Sequence, residues 1–265
     1  MAPARLFALF AALFAIGWAA PARAVEAVDL ELVLLADASR SIDDGEIRFQ
    51  RQGYASAINR RSVLGGILSG YRRRIAVTYV EWGDETSQEV VVPWTIIDGA
   101  DSAARFAKAL MAAPRLASGP NAIGSALAAA HALIETNTID GTRKVIDFSG
   151  DSAYSFGGIP VASARAAAIA DGIVINGLAI LCRDCISGRP VDYDLEAAFA
   201  TLIAGGPGSF VVTADGDTRF AQAVRRKMLL EIAGWRANNR RFASDAWLPC
   251  AGQSRGSLPC FVNHD

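Results

Sequence analysis

Apolar and amphipathic runs alternate along most of this chain. VDLELVLLAD (28–37) reads as a strand, and its near-continuous apolar run LVLLA fits one buried on both faces. DDGEIRFQRQGYASAINRRSVLGGI (43–67) has helical periodicity, with Ile47, Tyr54, Ile58 and Val63 on one face. RIAVTYVEW (74–82) and SQEVVVPW (87–94) read as strands joined by Gly83-Asp84-Glu85-Thr86, a hairpin connection. Helical patterns return at 101–113 and 122–136, and KVIDFSG (144–150) predicts another strand. A helix over 160–171 leads into the strand GIVINGLAIL (172–181). A helix near 193–204, the strand GSFVVTA (208–214) and a long helix near 217–235 complete the series.

Such alternation predicts an α/β fold: a doubly wound, mainly parallel sheet with helices on both faces. The hairpin strand 87–94 is its one antiparallel edge, where Pro93 is tolerated. One domain is expected over 25–235, with a disulfide-clipped tail over 236–265. In sheets of this kind ligands gather beyond the carboxyl ends of the strands, where strand order reverses. That places Asp37 to Ser41, at the end of the first long strand, in a functional position.

The N-terminus stands apart. Arg5, the apolar run LFALFAALFAIGWAA (6–20) and Ala22-Arg23-Ala24 form a secretory signal peptide over 1–24. The apolar run is shorter than the roughly 20 residues that span a bilayer, so no membrane span is expected after cleavage. Cleavage after Ala24 leaves 24 basic against 27 acidic residues, a net of −3 from the full chain's −1. Neither value draws the protein to nucleic acid or to an anionic membrane. The runs Arg72-Arg73-Arg74 and Arg240-Arg241 read as solvated faces.

Export to the periplasm or medium also changes the meaning of Cys182, Cys185, Cys250 and Cys260, which would meet an oxidising space. Three disulfide pairings are open, and the two sequence-local ones, Cys182–Cys185 and Cys250–Cys260, are preferred. A redox C-x-x-C needs its first cysteine at a helix N-terminus, whereas ISGRP after Cys185 has loop character.

Asp37, Ser39 and Ser41 occupy alternate positions in LLADASRSIDD (34–44). Three oxygens so spaced in an irregular loop can converge on a hard cation, and Mg²⁺ takes oxygen ligands with few carboxylates. A capping box of Ser41 and Asp44 at a helix starting near Ile42 explains those two residues, but leaves Asp37 and Ser39 without a role.

DASRS resembles the D-x-S-x-S signature of the von Willebrand factor A-type domain, over roughly residues 28–235. The resemblance implies a metal-ion-dependent adhesion site completed from two further loops. SGPNAIGSAL (118–127) is similar to the family's Gly-x-Thr-x-x-Gly-x-Ala-Leu segment, with Asn121 in the Thr position. VIDFSGDS (145–152) is similar to its strand-then-Asp segment, with Asp151 at the metal position and Ser152 where Gly is usual. VEWGD, VVVPWTII and VIDFSGD look closest to a bacterial secreted branch of undefined function. By this analogy Ser39 and Ser41 bind Mg²⁺ (or Mn²⁺) directly, and Asp37 and Asp151 bind it through waters. Asn121 offers a carbonyl oxygen. The implied partner is a protein that presents a carboxylate. Trp82 and Ser152 are candidate partner-contacting residues at the rim, although the Trp82 ring could instead pack over the hairpin.

Other chemistries fit less well. Gly150-Asp151-Ser152 resembles the nucleophile segment of Gly-Asp-Ser esterases, but it lies mid-chain and no Asp-x-x-His precedes the C-terminus. His131, on the helical face of Leu127 and Ile134, reads as a partly buried core residue, so a serine nucleophile lacks a base. No G-x-G-x-x-G is present, and Asp215 and Asp217 lack the later ligands of a calcium loop. Asp147, inside a strand, is expected to pair with a neighbouring loop. The expected function is a non-enzymatic, adhesion-type binding module; the alternatives are a metal-free scaffold of the same fold and, third, a hydrolase.

Overall fold

The computed structural model describes residues 25–181, 191–215 and 217–233. Its strands are β1 (Glu26–Val28), β2 (Glu31–Asp37), β3 (Ile75–Trp82), β4 (Gln88–Ile97), β5 (Ile139–Gly141), β6 (Lys144–Gly150), β7 (Val174–Leu181) and β8 (Val211–Asp215). Its helices are α1 (Asp44–Ile58), α2 (Arg61–Leu68), α3 (Ala100–Ala112), α4 (Ile123–Glu135), α5 (Val161–Ala170), α6 (Leu195–Leu202) and α7 (Asp217–Ala233). Six strands form one sheet in the order β4-β3-β2-β6-β7-β8, with only β4 antiparallel to its neighbour. β1 and β5 form a separate parallel pair.

β2 is buried along its whole length because both faces of the sheet are covered. Leu32, Leu34 and Ala36 enter a core with Tyr54 and Ile58 of α1, Ile67 of α2, Phe106 of α3 and Val224 and Met228 of α7. Val33 and Leu35, at the alternate positions, enter the opposite core with Leu127 of α4, Ala168 of α5 and Phe199 of α6. Each large apolar side chain so buried contributes about 1.5–3 kcal/mol. Strand order reverses on either side of β2, so the crevice beyond the carboxyl ends of β2 and β6 is the topological switch point.

Three elements differ from the sequence expectation. The strand expected over 28–37 breaks at Asp29, whose carboxylate accepts the Arg72 amide at 2.9 Å. The helix expected over 43–67 ends at Ile58, because the Asn59 side chain donates to the Ala55 carbonyl at 2.8 Å. Arg60, with extended φ and ψ, then starts α2. The short β5 carries no periodicity of its own. Its Gly141 amide donates to Glu31 Oε1 at 2.8 Å, and Asn137 Nδ2 donates to Oε2 at 2.7 Å, which satisfies a fully buried carboxylate.

Pro93 lies in the edge strand β4, as expected, where register shifts between Val77 and Val80 of β3 mark an irregular ladder. Asp147 pairs with Lys227 of helix α7 rather than with a loop, since its side chain points into the core under that helix. The signal peptide expected over 1–24, the tail expected over 236–265 and Cys182, Cys185, Cys250 and Cys260 lie outside the described residues. Among the described residues, no helix is long and apolar enough to cross a membrane.

Candidate metal centre

The site begins where β2 ends. Asp37 is fully buried; its Oδ1 accepts the Ser39 amide at 2.8 Å, turning the chain sharply after the strand. The turn brings the Ser39 and Ser41 hydroxyl oxygens within 3.2 Å of each other. Ser41 Oγ then donates to Asp151 Oδ1 at 3.3 Å, across the switch point from the segment after β6.

The third loop is tied to both. The Arg40 amide donates to the Gly119 carbonyl at 2.8 Å, joining the Asp37 loop to the segment before α4. The Phe156 amide donates to the Asn121 carbonyl, and the Ile123 amide to Ser155 Oγ at 3.1 Å, joining that segment to the loop after Asp151. Close approach requires small residues here. A Cβ on Gly124 would lie 1.8 Å from the Ile159 carbonyl oxygen, and one on Gly150 would lie 3.1 Å from Asp37 Oδ2.

Residues that the sequence reading passed over hold this loop from behind. Gln50 Nε2 donates to the Asp37 carbonyl at 3.1 Å. Arg115 Nη2 donates to the carbonyls of Ala38 at 2.8 Å and Ser39 at 3.2 Å, while its Nη1 pairs with Asp44. Arg51, buried on α1, pairs with Glu81 of β3 and donates to the carbonyls of Ala113 and Pro114. No sequence motif marks Gln50, Arg51 or Arg115, because each acts on main-chain groups brought near only by the fold.

The capping box also differs from expectation. Asp43 is the N-cap of α1: its Oδ1 accepts the Glu46 amide at 2.9 Å, and Glu46 Oε2 accepts the Asp43 amide at 2.7 Å. Ser41 is therefore not the cap, and its hydroxyl faces the cluster instead.

Among the oxygens of the cluster, Asp37 Oδ2 is buried and has no hydrogen-bond partner among the described residues. Burial, and then the Asp151 charge, push the Asp37 carboxyl up to about 7. Burial raises Asp151 as well, with Glu46 adding to it against the lowering by the Ser41 hydroxyl. Two carboxylates are thus held together where both resist ionisation, an arrangement that a cation relieves.

The clustered donors are all hard oxygens, two hydroxyls and two carboxylates, and the adjoining loop carries Asn121 with its amide carbonyl. This set fits Mg²⁺ or Mn²⁺ in kind. Asn121 is 7% exposed in the same group of loops, and its side chain makes no hydrogen bond among the described residues. Also among the described residues, no group of three or more His, Cys, Asp or Glu is arranged to hold a metal.

One rim expectation needs correction. Trp82 is fully buried, its ring stacked on Phe148 at 5.1 Å between centroids, so it offers no surface to a partner. Ser152 is half-buried; its Oγ accepts the Tyr154 amide at 3.1 Å and lies 3.4 Å from the Tyr193 hydroxyl. It orders the loop after Asp151. His131 is partly buried, as expected, and meets Asp171 at 2.7 Å.

Residues 27–236 match a family model described as "Protein of unknown function (DUF1194)". No curated protein matches the chain. Solved structures with the same fold include the pilus adhesin SpaC from Lactobacillus rhamnosus GG in an open conformation, at 14% identity and a TM-score of 0.55. That match covers 79% of this chain and 30% of the adhesin. Proximal thread matrix protein 1 from the mussel byssus, with a zinc-occupied MIDAS motif, is 15% identical with a TM-score of 0.55, over 78% of this chain and 49% of that one. A von Willebrand factor type A protein from Catenulispora acidiphila is 18% identical with a TM-score of 0.53, over 78% and 43%. The chain therefore spans less than half the length of each of these structures.

Proposed function

This chain belongs to the family described as Protein of unknown function (DUF1194), with a von Willebrand A-type fold, and on that premise we propose an adhesion-type binding module. In this reading Ser39, Ser41, Asp37 and Asp151 hold Mg²⁺ (or Mn²⁺), Asn121 completes the set, and the site engages a carboxylate on a protein partner. The observation that carries it is the Ser41–Asp151 hydrogen bond beside the orphaned, buried Asp37 Oδ2. Sequence-distant oxygens meet there without satisfying one another.

The bound ion would supply an electrophilic centre with an exchangeable water that a carboxylate can displace. The chain's own residues set how strong that centre is. Serine hydroxyls bring no charge, so the ligands that touch the ion leave much of its charge uncompensated. Arg115, Gln50 and the Arg51–Glu81 pair keep the oxygens placed whether or not a partner is present. The adhesin and MIDAS-bearing structures of this fold support the class of function. Secretion or periplasmic residence follows from the signal peptide expected over 1–24.

Calorimetric titration of the mature protein with Mg²⁺ tests the proposal, beside Asp37→Ala and Asp151→Ala. The expected result is binding heat in the wild type that both variants lose; three indistinguishable traces would reject the site. The second reading, a metal-free scaffold, draws on Asn121 in place of Thr, and that flat result would favour it.

A further inference from the structure

Far from the metal centre in function, α7 meets the sheet through an unusual core contact. Lys227 is completely buried, with Nζ 2.5 Å from Asp147 Oδ1 on β6 and 2.7 Å from Glu231 Oε1 one helical turn later. Asp147 is fully buried, and Glu231 is 1% exposed. Tyr54 donates to Asp147 Oδ1 at 3.3 Å, and Asn176 Nδ2 donates to Glu231 Oε1 at 3.2 Å. The Phe210 ring lies 6.0 Å from Nζ. Asp147 Oδ2 and Glu231 Oε2 are buried without partners among the described residues.

One ammonium cannot neutralise two carboxylates, and each ion kept from water costs several kcal/mol. Burial, and then the Asp147 charge, push the Glu231 carboxyl up to about 8, so it holds a proton at neutral pH. A protonated acid therefore sits against an amine that is itself pressed against a carboxyl group, with all three side chains buried. Reacting groups held in contact in this way have a large advantage in effective concentration.

We propose that Lys227 and Asp147 condense to an intramolecular amide, with Glu231 transferring protons, so that a covalent strut joins α7 to β6. Lys227 Nζ gives up a proton and its lone pair attacks Asp147 Cγ, forming the C–N bond. The Cγ–Oδ2 bond breaks with its electron pair remaining on oxygen, which leaves as water after taking up the protons released by the nitrogen. Glu231 gives its proton toward the departing oxygen and recovers one from nitrogen through its Nζ contact, ending in the protonation state in which it began. The ammonium and carboxylate together become amide and one water, with no co-reactant. A cavity of about 540 Å³ whose wall includes Glu231, Asn176 and Phe210 can receive that water. The product leaves no net charge in the core, which is the physical gain over the ion pair.

Mass spectrometry of the purified full chain, reduced to open any disulfide, tests this directly. The wild type is expected to fall short of its sequence mass by about 18 Da, one water. Trypsin digestion is expected to release residues 145–165 joined to residues 227–236, because the acylated Lys227 resists cleavage. Lys227→Arg keeps a cation in place but should restore the full mass. Asp147→Asn should lose ammonia instead, about 17 Da. Glu231→Gln, which keeps the hydrogen-bonding shape, should leave the chain largely uncondensed. A wild type at full mass, or a deficit that persists in Lys227→Arg, overturns the proposal; a fully condensed Glu231→Gln overturns the role given to Glu231.

Discussion

Arg51 Nε and Nη2 reach Glu81 Oε1 and Oε2 at 2.8 and 2.9 Å, a two-pronged ion pair with both side chains buried. The pair joins α1 to β3, and the same guanidinium holds the Ala113 and Pro114 carbonyls in the segment that carries Arg115. Arg115 in turn holds the Asp37 loop. Removing one partner leaves the other charge buried without compensation. Glu81→Ala is expected to cost about 3–5 kcal/mol in urea unfolding. The double variant Arg51→Met with Glu81→Leu should recover most of that loss, since it buries no lone charge. Even when folded, the double variant should bind Mg²⁺ more weakly in calorimetry, because the support behind Arg115 is gone.

Asp43 and Ser41 lie two residues apart and have separable duties. Asp43→Ala removes the cap of α1 and is expected to cost about 1 kcal/mol in thermal or urea unfolding. Its Mg²⁺ binding should persist. Ser41→Ala is expected to change stability by less than about 0.5 kcal/mol. It should abolish most of the binding heat. The opposite pattern, with Ser41 governing helix stability, would return that residue to a capping role.

Asp37 gives the metal-free protein a definite pH response. Its carboxyl is held up at about 7, above the ordinary 3.8, so the folded state keeps a proton that the unfolded chain releases. The stabilisation from this group is complete below the unfolded value and is lost as pH rises through about 7. Urea midpoints measured in EDTA should therefore fall between about pH 4 and pH 7. Asp37→Asn should flatten that slope. Excess Mg²⁺ should flatten it as well, because a bound cation favours the ionised form.

The period of the apolar residues carried the fold. β2 and β7 read as buried strands because both of their faces are covered, and α4 and α7 because their apolar positions recur at helical spacing. The break at Asn59 was not legible, since apolar spacing continues across it through Val63 and Ile67. In the site, the spacing of Asp37, Ser39 and Ser41 was visible because one loop holds them all. Two overlapping capping patterns, Ser41 with Asp44 and Asp43 with Glu46, fit the same stretch of sequence. Only the direction of the Ser41 hydroxyl toward Asp151 separates them. Trp82 illustrates the opposite limit: its place at a strand end was readable, but the Phe148 ring that covers it comes from a different strand.

The outer border of the sheet bears on how copies of this protein can meet. At the middle of β4, Pro93 has no amide hydrogen, and its carbonyl is already taken by the Thr95 hydroxyl at 2.8 Å. A strand from another molecule approaching that border could take no amide hydrogen bond from Pro93. Growth into fibrils by sheet extension is therefore disfavoured at this point of the flank.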